Sequence, residues 1–173
     1  MSDLERAIAI ALCAHRGAVD KAGQPYVLHP LWLMLQFNDL DQMIVAVLHD
    51  TVEDSFLTLG KLKEQGFSHA VIEAVDALTR RDGEAYEEFI ARLSPNPLAR
   101  QVKIADLEHN MDVRRLESLT SNDLERIAKY HRSWLELRKQ NCGSARQPAD
   151  PCGESGIAEV HEVLRQDGGT QRS

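Results

Sequence analysis

Residues 39–54 read Asp-Leu-Asp-Gln-Met-Ile-Val-Ala-Val-Leu-His-Asp-Thr-Val-Glu-Asp. Asp39 or Asp41 is suited to cap a helix, because a short carboxylate ahead of a helical run accepts a backbone N–H that has no partner in the first turn. Met43, Ile44, Val47, Leu48 and Val52 make that helix apolar on more than one side, the pattern of a helix buried at the centre of a bundle. It is expected to run through Val52 and to carry His49, Asp50, Glu53 and Asp54. Positions four apart share a helix face, so His49 would stand over Glu53 and Asp50 over Asp54. Burying an imidazole and two or three carboxylates among valines and leucines is costly unless a cation compensates them. A bound metal ion resolves the conflict; the bland alternative is a helix whose acids simply face water.

Outward from this segment the periodicity stays helical. Leu4, Ala7, Ile8, Ala11 and Leu12 step at i, i+3, i+4, and His15 continues the stripe, where a hydrogen-bonded core histidine is the expected role. Gly23 and Pro25 punctuate a loop over Asp20 to Pro25, and His29-Pro30 opens the next helix. Further helices are expected over Thr58–Gln65, Ser68–Leu78, Ala85–Leu93, Leu98–Asn110 and Asn122–Lys139. No period-two run is long enough for a sheet, so the fold class is all-α, and no repeat at a solenoid period is found. After Asn141 the composition turns to Gly, Ser, Pro, Gln and Asp, the signature of a flexible polar tail over 141–173, with Ile157–Leu164 as one short amphipathic stretch.

Composition narrows the function. The 173 residues suit one domain, and 43% hydrophobic with 27% charged residues is ordinary for a soluble globular protein. The N-terminus lacks the basic start and apolar run of a signal peptide, and no segment reaches bilayer length, so a cytoplasmic protein without membrane contact is expected. Cys13, Cys142 and Cys152 are odd in number and without CxxC spacing, which argues for reduced thiols. Twenty Lys and Arg against 27 Asp and Glu give a net charge of −7, which argues against a nucleic-acid partner. A phosphorylated small molecule is compatible with that charge if a divalent metal supplies the local positive field.

His29 before Pro30, and Asp106 inside the apolar run Val102-Lys103-Ile104-Ala105-Asp106, add ligands of the same type as His49 and Asp50. With Ala14-His15-Arg16-Gly17, Gly23-Gln24-Pro25-Tyr26, Leu48-His49-Asp50-Thr51-Val52-Glu53-Asp54 and His109-Asn110-Met111, the stretch from Leu4 to Trp134 resembles the HD hydrolase domain of the RelA/SpoT alarmone enzymes, and more closely the small stand-alone alarmone hydrolases. The resemblance implies an HD-type helical bundle over residues 1–140 with a single buried metal site. It assigns His29, His49, Asp50 and Asp106 to one divalent ion, normally manganese, a mixed imidazole and carboxylate shell suited to Mn²⁺. It makes Glu53 and Asp54 the catalytic pair that orients or deprotonates the attacking water. The implied reaction is hydrolysis of the 3′-pyrophosphate of a guanosine or adenosine alarmone to pyrophosphate.

The resemblance also offers Lys21 and Asn110 as nucleotide contacts, with His109 and Lys103 as weaker suggestions; for Lys103 a snorkelling surface lysine is an equal alternative. Relatives active on guanosine alarmones commonly carry a basic pair where this chain has Asp20-Lys21, and a carboxylate cannot stack on a purine as a guanidinium does. Asp20 is therefore expected to alter base selection, or, as the bland alternative, to sit in a mobile loop and touch nothing. Leu107 stands where a basic residue often follows the metal-binding Asp. Trp32 and Trp134 are expected in the core, and Arg80-Arg81 at a solvated helix end within reach of a phosphate. Residues after Asn141 are too few and too polar for a second catalytic domain, so degradation alone is expected. The same motifs leave open another nucleotide substrate such as NADPH or a nucleoside phosphate, or a non-catalytic regulatory or antitoxin module, and they leave a homo-oligomer open.

Overall fold

The computed structural model of the chain describes residues 3–55, 57–116 and 118–142. Eight α-helices follow one another among the described residues: α1 (Asp3–Ala14), α2 (Leu28–Met34), α3 (Leu40–Leu48), α4 (Leu59–Glu64), α5 (His69–Leu78), α6 (Tyr86–Leu93), α7 (Pro97–Asn110) and α8 (Ser121–Cys142). A short 3-10 turn, Val113–Arg115, joins the last two. The tail expected over 141–173, the last two residues of α8 apart, lies outside the described residues, and so does Ile157–Leu164.

Local chemistry explains where the helices begin. Asp39, rather than Asp41, caps α3 by accepting from Gln42 N–H at 3.0 Å. Thr58, Ser68 and Asn96 do the same for α4, α5 and α7, and Pro97 occupies the first turn of α7, where its missing N–H costs nothing. Val45, Ala46, Val47 and Leu48 have no exposed surface, and α3 packs against α1, α2, α5 and α7. It is the axis of the bundle. A second apolar cluster, Phe89, Ile90, Leu93, Leu107 and Leu137, joins α6 and α8 to the other side of α7. No helix among the described residues is long and apolar enough to cross a membrane.

The helix expected to run through Val52 stops at Leu48, and residues 49–53 form successive tight turns. The Thr51 hydroxyl donates to Leu48 C=O at 2.7 Å and the Ser55 hydroxyl to Thr51 C=O at 2.6 Å. Such local side-chain bonds compete with the helical ladder, and the Thr51 amide accordingly bonds Leu48 C=O, three residues back. Periodicity marks the apolar face but is blind to this competition.

The loop before α2 is a small closed hairpin. Val19 and Pro25 form an antiparallel bridge, Asp20 N–H bonds Gln24 C=O at 2.8 Å, and Tyr26 N–H bonds Ala18 C=O at 2.9 Å. Gly23 turns the chain at φ +75°, a conformation that glycine adopts without steric penalty. The Asp20 carboxylate accepts the amides of Ala22 and Gln24, each at 2.9 Å. Asp20 therefore holds the turn together, contrary to the alternative in which it touches nothing.

Candidate metal centre and catalytic cleft

Three helices bring the candidate ligands together. The first turn of α2 carries His29, the end of α3 delivers His49 and Asp50, and the middle of α7 supplies Asp106; both histidines and Asp106 are buried. His29 Nε2 lies 3.1 Å from Asp106 Oδ1, and His49 Nε2 lies 2.8 Å from Asp50 Oδ2 and 3.9 Å from Asp106 Oδ1. Ligand atoms of His29, His49 and Asp50 all fall within 4.8 Å of one another, so this group could hold a metal ion.

The tautomer of His49 decides the fit. Its Nδ1 is 2.8 Å from Ala46 C=O, which can only accept, so Nδ1 carries the proton and Nε2 is left with a lone pair. That buried Nε2 has no hydrogen-bond partner, although two carboxylates lie beside it. A lone pair facing carboxylate oxygens calls for a cation between them. A proton can play that part: burial opposes the charge on His49, but Asp50 and then Asp106 outweigh it and push the imidazole up to about 9. Burial likewise works against charge on Asp50 and Asp106, yet His49 holds Asp50, and Lys103 holds Asp106, well below the usual carboxylate range. The site is a preformed pocket of two carboxylates and two imidazoles, and a divalent transition metal fits this donor set.

Asp106 is itself held by its own helix. Lys103 Nζ donates to Oδ2 at 2.8 Å, with the ammonium 5.3 Å over the Phe89 ring, and Asn110 Nδ2 donates to Oδ1 at 2.6 Å. Lys103 is thus neither a loose snorkelling lysine nor directed to solvent. The Tyr26 hydroxyl donates to Asp50 Oδ2, a contact the sequence reading missed, although Tyr26 stood in the quoted Gly-Gln-Pro-Tyr motif. His15 is buried as expected and packs against Tyr26, with centroids 4.9 Å apart and the rings tilted by 50°, but its Nε2 has no hydrogen-bond partner.

Glu53 and Asp54 are exposed and lie beyond the end of α3, so they do not share a helix face with His49 and Asp50 as expected above. Lost hydration raises both carboxyls, and the Asp50 charge adds to the shift. Asp54 sits against Tyr26, whereas Glu53 turns away to accept the backbone N–H of Arg80. Lys21 is exposed on the hairpin and lines a cleft of about 300 Å³ with Tyr26, His29, Asn110, Arg126 and Tyr130. Trp32 is 39% exposed and stacks on His109 at 4.1 Å rather than entering the core as expected, whereas Trp134 is half-buried and packs against the second apolar cluster.

The loop that presents Arg80 N–H to Glu53 is clamped by Glu84. Its carboxylate accepts from Arg92 Nε at 2.6 Å and from Arg81 N–H at 2.9 Å, while Arg92 also donates to Thr79 C=O at 3.0 Å. These bonds, the Arg92 guanidinium first, hold the Glu84 carboxyl down at about 2, against 4.5 for an ordinary glutamate. A depressed folded-state value stabilises the fold above the unfolded value and loses that effect as the pH falls through the folded one. The thermal midpoint of the wild type should therefore drop between pH of about 4.5 and about 2, and Glu84→Gln should flatten that fall. Parallel midpoint curves for the two proteins would remove Glu84 from the acid response.

No family model matches the chain. It is 33% identical over 135 residues to the guanosine-3′,5′-bis(diphosphate) 3′-pyrophosphohydrolase of Haemophilus influenzae, covering 69% of this chain and 20% of that protein. It is 32% identical over 124 residues to the probable GTP pyrophosphokinase of Mycobacterium leprae, covering 64% and 16%. To the bifunctional (p)ppGpp synthase/hydrolase SpoT of Escherichia coli it is 29% identical over 141 residues, covering 73% and 20%. The chain spans about a fifth or less of the length of these curated relatives. A solved metazoan SpoT ortholog shares its fold with a TM-score of 0.63 and 18% identity, over 97% of each chain. With these likenesses and the His49-Asp50 centre at the axis of the bundle, the chain is an HD-type, RelA/SpoT hydrolase-like domain.

Proposed function

We propose that the chain is a cytoplasmic, manganese-dependent phosphohydrolase that removes the 3′-pyrophosphate of purine alarmones, guanosine or adenosine, as pyrophosphate. The observation that carries this reading is the buried, unpartnered His49 Nε2 facing Asp50 and Asp106, with His29 closing the same pocket. The relative named a guanosine-3′,5′-bis(diphosphate) 3′-pyrophosphohydrolase supports the reaction class. His29, His49, Asp50 and Asp106 would hold the ion, which when bound supplies Lewis acidity toward a phosphate and lowers the pKa of water.

The chain's own residues do the rest. Asp54 and Glu53, whose carboxyls are raised above their ordinary values by lost hydration, are suited to accept a proton from water attacking the 3′-phosphorus. The bond from that phosphorus to O3′ breaks, pyrophosphate leaves, and O3′ takes up a proton. Lys21 and Asn110 border the cleft and are the proposed nucleotide contacts; Lys103 acts on the substrate only through Asp106. Arg126 and Tyr130 give the cleft a guanidinium and an aromatic ring at a place other than position 20, so the base is gripped differently from relatives with an arginine there.

The decisive experiment incubates manganese-loaded protein with guanosine and adenosine 3′-pyrophosphates, ordinary nucleotides and NADPH, and identifies the products. Pyrophosphate release from the alarmones supports the proposal; turnover of only the other compounds, or of none, refutes it. Adenosine alarmones should be accepted at least as well as guanosine ones. Asp20→Arg, the obvious test of base selection, would open the hairpin, so Asp20→Asn is the informative variant: it keeps an oxygen for Ala22 and Gln24 and removes a charge that repels substrate phosphates. KM should fall by up to about fivefold, the scale of an exposed charge interaction, with kcat unchanged. An unaltered KM for both purines would show that the Asp20 charge does not reach the substrate.

A further inference from the structure

His29 has a second contact that the metal reading leaves unused. Its Nδ1 lies 2.8 Å from His109 Nδ1, with the two rings within 17° of parallel and their centroids 4.9 Å apart. His109 is 9% exposed and is backed by the Trp32 indole, stacked at 4.1 Å and 26°. The row His29, His109, Trp32 runs from the candidate metal pocket to a surface cleft of about 430 Å³ lined by Trp32, His109, Met111, Arg114, His131 and Trp134. His109 thus stands behind the site, bonded to His29 rather than directed at a nucleotide.

An imidazole that gives its Nε2 lone pair to a cation carries its proton on Nδ1, and that N–H needs an acceptor which also fixes the ring plane. For His49 the acceptor is Ala46 C=O, at 2.8 Å. For His29 the atom in that place is His109 Nδ1. We propose that His109 is a positioning residue for the metal centre: its Nδ1 accepts the His29 Nδ1–H and aims His29 Nε2 at the cation, while the Trp32 stack keeps the His109 ring in plane. This inference rests on the metal reading of the pocket.

The test uses Mn²⁺ alone, titrated into the metal-free full chain and followed by calorimetry or by the spin-resonance signal of free ion. His109→Phe keeps a ring between His29 and Trp32 but removes the acceptor. His109→Asn places an oxygen where Nδ1 stands, and His109→Gln places one where Nε2 stands, away from His29. The Phe and Gln variants should bind Mn²⁺ about 10- to 100-fold more weakly than wild type, the usual cost of losing the partner of a ligating histidine, while Asn recovers most of that loss. Thermal midpoints of the metal-free Asn and Gln variants should be alike, because a packing role does not distinguish where the oxygen sits. Wild-type affinity in the Phe or Gln variant, or an Asn variant as weak as Gln, overturns the assignment of His109 and leaves the metal centre standing. A wild type that takes up no Mn²⁺ overturns both.

Discussion

Replacing Glu53 by Gln, or Asp54 by Asn, is expected to lower kcat by about two to four orders of magnitude, the scale of lost acid–base assistance. Both side chains stand at the rim of the pocket, outside the cluster of His29, His49 and Asp50, so neither change removes a candidate ligand. Gln at position 53 keeps an oxygen for Arg80 N–H, and Asn at 54 keeps one for Tyr26, so the loop and the fold should be preserved. What disappears is the ability to take a proton. Lost hydration and the Asp50 charge raise both carboxyls, which makes them stronger bases than free carboxylates but protonates them earlier on acidification. The acid limb of the kcat profile should therefore be displaced upward from that of a free carboxylate, with activity lost as the pH falls through it. Kinetics together with metal analysis checks this: near-wild-type turnover in both variants would remove the pair from the mechanism.

Asp106→Ala should have two separable effects. The first is loss of most of the bound metal, since a small shell rarely compensates for a missing protein ligand; His49→Ala should share this loss. The second belongs to Asp106 alone. Lys103, with 14% of its side chain exposed, pairs with Asp106 at 2.8 Å. Removing the carboxylate strands that ammonium inside the bundle, which typically costs about 3–5 kcal/mol when one partner of a buried pair is deleted. Adding Lys103→Met to Asp106→Ala should recover much of the stability without restoring the metal. Metal content and denaturant unfolding on the same three proteins decide the matter. Full manganese occupancy in both His49→Ala and Asp106→Ala would refute the ligand assignment, and an unchanged stability in Asp106→Ala would refute the buried pair.

The sequence by itself determined the helices and most of their ends. Each of these is a local property: an apolar stripe at i, i+3, i+4, or a side chain such as Thr58, Ser68 or Asn96 capping an amide three residues ahead. It also determined that the Ile44–Leu48 part of α3 is buried, because a helix apolar on more than one side has nowhere else to go. The residue types that could bind a metal were legible for a similar reason, since buried carboxylates beside imidazoles need a cation wherever they meet. Only the tertiary structure decided how these residues meet and which neighbours control them. The early stop of α3 at Leu48 depends on hydroxyls competing for carbonyls, which hydrophobic period does not register. Tyr26 reaches Asp50 across 24 residues, Arg80 N–H reaches Glu53 across 27, and His109 reaches His29 across 80. No periodicity encodes such distances along the chain. They follow from how α2, α3 and α7 pack, and a shift of about one ångström in that packing would break each of these contacts, because hydrogen bonds weaken steeply beyond their narrow range of length and angle.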